Sequence, residues 1–101
     1  MKHIKTYEAS KKTPQIGDYI LCKPDESNSI VLGDFISNNI GKIISEDIKN
    51  IYDCEYENIP NYIKTVYFYK DMRLIKNKNI LYFSPNKEDL ELILKSKQYN
   101  L

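Results

Sequence analysis

One stretch restricts the fold more than any other: Tyr52-Asp53-Cys54-Glu55-Tyr56-Glu57 alternates without a break. Successive side chains of an extended chain leave on opposite faces, so Tyr52, Cys54 and Tyr56 share one face and Asp53, Glu55 and Glu57 the other. A strand apolar on one side and charged on the other predicts an antiparallel sheet with one face on a core. The segment Gly17-Asp18-Tyr19-Ile20-Leu21-Cys22-Lys23 reads differently, as a turn followed by a strand whose two faces are both apolar, which predicts burial on both sides.

The remaining elements follow from breakers and periodicity. Pro24-Asp25-Glu26-Ser27-Asn28-Ser29 ends the first strand in a loop. Ile30 to Ile40 is expected to be a folded loop: Val31, Phe35, Ile36 and Ile40 suit one helical turn, but Gly33 and Asn38-Asn39 oppose a long helix. Gly41-Lys42-Ile43-Ile44-Ser45 reads as a second strand leaving a glycine turn, and Thr65 to Lys70 as a strand with Val66 and Phe68 opposed to Tyr67 and Tyr69. Leu74-Ile75 and Ile80 to Phe83 flank the polar turn Lys76 to Asn79, and either pair with each other or form a strand and a 3₁₀ turn. The C-terminal segment 86–98 is predicted to be a helix, with Ser84 or Asn86 as cap and Pro85 in the first turn. Acids Glu88, Asp89 and Glu91 lie towards its positive end and Lys95 and Lys97 towards its negative end, while Leu90, Ile93 and Leu94 form an apolar stripe.

A chain of 101 residues has room for one modest core. The expected organisation is a mobile arm over 1–15 and a single domain over 16–101. Ile, Lys, Asn and Tyr are abundant, with single Ala and Arg residues (Ala9, Arg73), a bias expected of an AT-rich genome. A net charge of +1 removes the bulk electrostatic argument for a binder of nucleic acid or anionic membrane. The charge is nonetheless blocked, with a basic start, an acidic middle over 24–59 and a basic end. The longest apolar runs, such as Ile80 to Phe83, are too short to span a bilayer, and Met1 to Glu8 lacks the apolar region of a secretory signal. The chain is therefore expected to be cytoplasmic, without contact with a membrane.

The run Gly17 to Cys22, then Ile40 to Ile44, then Tyr52 to Tyr56 resembles the first three strands of SH3-like small barrels, including those of the KOW type. The resemblance implies a mainly β fold: a barrel of about five antiparallel strands with a C-terminal helix. Asn38 to Ile43, Tyr56 to Pro60, Tyr82 to Glu91 and the ending Lys97-Gln98-Tyr99-Asn100-Leu101 are similar to short uncharacterised proteins of AT-rich phages and related viruses. That likeness implies a viral accessory role in a host cytoplasm and carries no activity or functional residue across.

Chemistry is sparse. His3, Cys22 and Cys54 are the only soft ligands and have no metal-site spacing; the two cysteines are expected to be buried thiols without a disulfide. The sole His lies in the arm, so neither thiol is paired with a base, and the three glycines form no phosphate cradle. These observations predict a non-enzymatic protein without metal or cofactor. Lys64, Tyr67, Tyr69, Lys70 and Arg73 interleave aromatic and basic groups and form the candidate binding face. Tyr and Arg are enriched at protein-binding hot spots, which favours a host or viral protein as partner, a host-defence component included. The alternative is single-stranded nucleic acid stacked on the tyrosines. The loop Pro24 to Asn39 is a second candidate contact surface, and Asp53, Glu55 and Glu57 form a solvated face or meet a basic partner.

Overall fold

The computed structural model describes residues 13–99. His3, Ile4 and Tyr7, and most of the expected arm, lie outside the described residues. Five strands form one antiparallel sheet: β1 (Tyr19–Cys22), β2 (Gly41–Ile48), β3 (Ile51–Glu55), β4 (Met72–Lys76) and β5 (Ile80–Ser84). Their order across the sheet is β4-β3-β2-β1-β5. Among the described residues three helices accompany them: α1 (Ile30–Asn38), α2 (Asn61–Tyr67) and α3 (Lys87–Tyr99). A 3₁₀ turn, Asn77–Asn79, joins β4 to β5. These two strands pair with β3 and β1 respectively and not with each other, so the sheet is open where a closed barrel was expected. No helix among the described residues is long and apolar enough to cross a membrane.

Alternation decides which residues meet which layer. On β1, Ile20 and Cys22 join the larger core, with Leu32, Phe35 and Ile36 of α1, Ile43 of β2, Tyr52 and Cys54 of β3 and Ile63 of α2. Leu21, between them, faces the other way and packs with Leu90 and Ile93 of α3. The reading of β1 as a doubly buried strand therefore holds, and so does that of Tyr52, Cys54 and Tyr56 as a buried row.

Two segments differ from expectation. Ile30 to Asn38 is a helix rather than a folded loop, because Leu32, Phe35 and Ile36 at helical spacing all reach the core. The Ser29 hydroxyl accepts from Leu32 N at 3.2 Å and caps it. Gly33 lies where the helix crosses Pro24, and an added Cβ would stand 3.0 Å from the proline Cβ. Asn39 Nδ2 donates to Phe35 O at 2.8 Å and closes the helix, so the asparagines end it rather than prevent it.

The second difference is Thr65 to Lys70, expected as a strand. Its first three residues are the last of α2, which starts after Pro60 with Ile63 N and Lys64 N both donating to Pro60 O. Only Phe68 and Tyr69 continue extended, Tyr69 making one bridge to Met72. The apparent alternation straddled a helix end. Val66 and Phe68 do not share a face: Phe68 packs on the core beside Tyr67, whereas Val66 and Tyr69 are exposed.

Between β4 and β5 the strand-and-3₁₀ alternative is the one realised. The final helix begins at Lys87, one residue later than expected. This puts Asn86 at the cap position, while the Ser84 hydroxyl accepts from Asn86 N at 3.0 Å and donates to Asp89 Oδ2 at 2.7 Å.

Candidate functional site

The five candidate residues fall on the corner where α2 turns into β4. Lys64 is in α2 and Tyr67 ends it; Tyr69 and Lys70 are in the connection; Arg73 is the second residue of β4. The connection is a tight hairpin, with Tyr69 N donating to Met72 O and Met72 N to Tyr69 O, both at 2.9 Å. Its two central residues, Lys70 (φ 51°) and Asp71 (φ 68°), are left-handed, as a type I′ turn requires. Neither is glycine, so the turn costs about 1–2 kcal/mol per residue. The Lys64 ammonium, 2.9 Å from Asp71 Oδ1, braces it from the helix.

Arg73 ties the corner to the core. Its Nη1 donates to Tyr67 O at 2.9 Å, satisfying a carbonyl at the helix C-terminus, and its guanidinium carbon lies 5.9 Å from the centre of the Tyr67 ring. Tyr67 is thereby held in one orientation, half-buried. Tyr69 is 73% exposed, with the Lys70 ammonium 5.5 Å from its ring centre. The structure thus gathers Tyr67, Tyr69 and Arg73 around an open groove of about 500 Å³, completed by Asp53, Val66, Phe68, Met72 and Leu74. Lys64 does not line it and is engaged with Asp71, and Lys70 stands over the outer tyrosine rather than in the groove.

Sequence reasoning missed Val66 and Leu74 as parts of this surface; both are exposed. Leu74 is cross-strand partner to Asp53, which places it on the charged face of β3. The signal was present: Asp53 is an outward residue of the alternating strand, but only the β3–β4 register tells which residue stands beside it. The Asp53 carboxylate accepts from the Ser45 hydroxyl at 2.8 Å, and Glu57 meets Lys87 at 3.5 Å. Of the expected acidic face, Asp53 therefore belongs to the groove and Glu57 to a contact with α3.

The loop after β1, the other candidate surface, is held by a polar hub. Asp25 accepts from Asn79 Nδ2 at 3.0 Å, from the Ser27 hydroxyl and from Ser27 N at 3.4 Å, while Asp25 N donates to Asn28 Oδ1 at 3.0 Å. The bonds from Ser27, then that from Asn79, hold the Asp25 carboxyl well below the usual range. Phe35 and Ile36 beyond it are core, so this loop and helix close the fold rather than stand free.

Cys22 and Cys54 are free thiols, fully inside; burial pushes Cys22 up to about 12 and moves Cys54 upward as well. Tyr56 Oη is buried with no good hydrogen bond beyond a contact with the Cys22 thiol, and burial, with the neighbouring thiols, pushes the phenol well upward. A thiol so shifted is almost entirely protonated at neutral pH.

Compared with protein-family models, curated proteins and solved structures, the chain matches none.

Proposed function

We propose that this protein is a non-enzymatic binding module, an accessory protein of viral type, that takes hold of a host or viral protein through the groove between α2 and β4. The observation that carries the reading is the pairing of exposed apolar groups with an orienting device. Val66, Tyr69 and Leu74 are all more than half exposed around the groove, while Arg73 fixes Tyr67 beside them. Aromatic and arginine side chains held rigidly lose little entropy when they are covered, which is why such groups dominate interface energetics. The strand order β4-β3-β2-β1-β5, with a 3₁₀ turn between β4 and β5, supports an SH3-like relationship for the scaffold.

Single-stranded nucleic acid is the second reading, favoured by the open Tyr69 ring with Lys70 over it. It is weakened by Lys64, whose charge is already met by Asp71.

The test is selection of displayed protein fragments on the immobilised chain, with counter-selection on a Tyr69→Ser, Leu74→Ser variant of unchanged circular dichroism. Enriched fragments that lose binding to the variant support the groove. Fragments that bind both forms alike overturn it, and binding of a mixed oligonucleotide that weakens steeply with salt transfers the reading to nucleic acid.

A further inference from the structure

The free edge of β4 lies along the groove, and its hydrogen-bond parity can be worked out. Tyr56 N donates to Asp71 O at 3.0 Å and Asn77 N to Asn50 O at 2.8 Å, with one unbroken register between them. In an antiparallel pair, residues that exchange bonds alternate with residues that do not. Asp71, Arg73, Ile75 and Asn77 therefore direct their main-chain groups to β3, and Met72, Leu74 and Lys76 direct theirs away from it. Met72 is served by Tyr69. Among the described residues, Leu74 and Lys76 are left with their N–H and C=O groups on the rim, because β4 is the last described strand of the sheet.

A recess lies on either side of that rim. One is the groove. The other is a slot of about 120 Å³ between β4 and the segment after β1, lined by Lys23, Asp25, Arg73, Lys76 and Asn79 among others. Its lining thus includes three basic residues and one acid, Asp25, whose carboxylate has Lys76 as its ion-pair neighbour. That carboxylate is already engaged by Ser27 and Asn79, and the Lys76 ammonium stands 3.8 Å from it, too far for a good hydrogen bond. Arg73 and Leu74 line both recesses, with their side chains on alternate faces of β4.

Resting on the groove reading, we propose that the partner is an extended acidic segment, added along the β4 rim as a sixth strand. Its main chain pairs with Leu74 and Lys76. Neighbouring residues of the added strand leave on opposite faces, so an apolar side chain enters the groove while the next, a carboxylate, enters the slot against Lys23, Arg73 and Lys76. At about 120 Å³ the slot has room for a carboxylate and a few waters. A second copy is a poor occupant, since it would bring another set of Lys70, Arg73 and Lys76 onto the same edge, where lysines oppose self-pairing.

The experiment titrates the isotope-labelled full chain, at low salt, with three blocked synthetic peptides. These are alternating Val–Glu, alternating Val–Lys, and Val–Glu with every second amide N-methylated on the pairing edge. The expected result is that only the first shifts the Leu74 and Lys76 amides and slows their hydrogen exchange. Its affinity should fall about tenfold or more with Lys76→Gln or Arg73→Gln, as for loss of a hydrogen bond to a charged group. Equal binding by the Val–Lys or N-methylated peptide overturns the proposal, and this comparison needs no variant to fold. Shifts confined to Tyr67 and Tyr69, or display-selected fragments that occupy the groove while Val–Glu leaves the rim unmoved, overturn strand addition and leave the groove reading intact. An oligonucleotide that shifts the slot residues while Val–Glu does not overturns the acidic-peptide assignment as well.

Discussion

The two ends of the sheet are built from similar residues and treated oppositely. At the β1/β5 end both faces are covered: α1 and the main core lie on one side, and α3, through Leu90 and Ile93, on the other. At the β3/β4 end, among the described residues, only the face of Tyr52, Cys54 and Ile75 is covered. The other face presents Lys42, Glu55 and Met72 in one rung and Ser45, Asp53 and Leu74 in the next. Burial on two faces removes more apolar area from water per strand and leaves nothing for a partner. Burial on one face leaves a mixed surface with a free edge. The difference separates two kinds of surface along one sheet: the β1/β5 end is buried on both faces, and the β3/β4 end is the one to which we assign the proposed partner.

Substitutions at the two ends should therefore differ most in stability. Leu90→Ala, at a side chain with no exposure in the α3 contact, should cost about 2–5 kcal/mol, read as a lower denaturation midpoint. Leu74→Ser at the open end should change stability by no more than about 0.5 kcal/mol. Equal effects would erase the contrast. Leu94, also expected to pack, is only partly buried and should fall between the two.

Gly41→Ala comes next. Its Cβ would stand 2.6 Å from Tyr56 Cζ, inside a ring that is itself enclosed by Phe35 and Phe68 at 5.8 Å between centroids. Overpacking there should cost about 1–3 kcal/mol by the same measurement. Tyr56→Phe should go the other way. It removes a buried hydroxyl whose polar contact is with the weakly bonding Cys22 thiol, so stability should hold or rise by up to about 1 kcal/mol. A large loss would mean that the hydroxyl is satisfied by water in solution.

The last expected effect is one of pH and concerns Asp25. Its carboxyl is held below its ordinary value of 3.8, chiefly by Ser27 and then Asn79. A folded-state pKa lowered in this way contributes stability that is complete above the unfolded value and is lost as the pH falls below it. Unfolding midpoints of the native chain and of Asp25→Asn should therefore keep a constant difference near pH 7 and converge as the pH falls below about 4. A difference that grows on acidification would contradict the hub.

Much of this was legible in local pattern. The alternation over Tyr52 to Glu57 places the buried row of β3, the two-sided apolar run places β1 inside, and Leu90 with Ile93 names the face of α3. In each case a period of the chain matches a period of the structure, so local reading suffices. The α1 segment was obscured because Gly33 and Asn38-Asn39 weigh against a helix locally, whereas Leu32, Phe35 and Ile36 stabilise it only through contacts with distant strands. The candidate tyrosines and Arg73 were found by residue type, but their assigned faces were wrong because α2 ends within the apparent alternation.

What the sequence by itself determined, then, is which residues are apolar, at what spacing, and where glycine, proline and capping groups interrupt them. Those properties depend on neighbours a few positions away and are sufficient for β1, β3 and α3. Only the tertiary structure decided that β4 ends the sheet, that Leu74 stands beside Asp53, and that Arg73 closes onto the carbonyl of Tyr67. Register and edge position depend on which strands meet, and that choice is set by burial of the whole core at once, a quantity no short window of the chain contains.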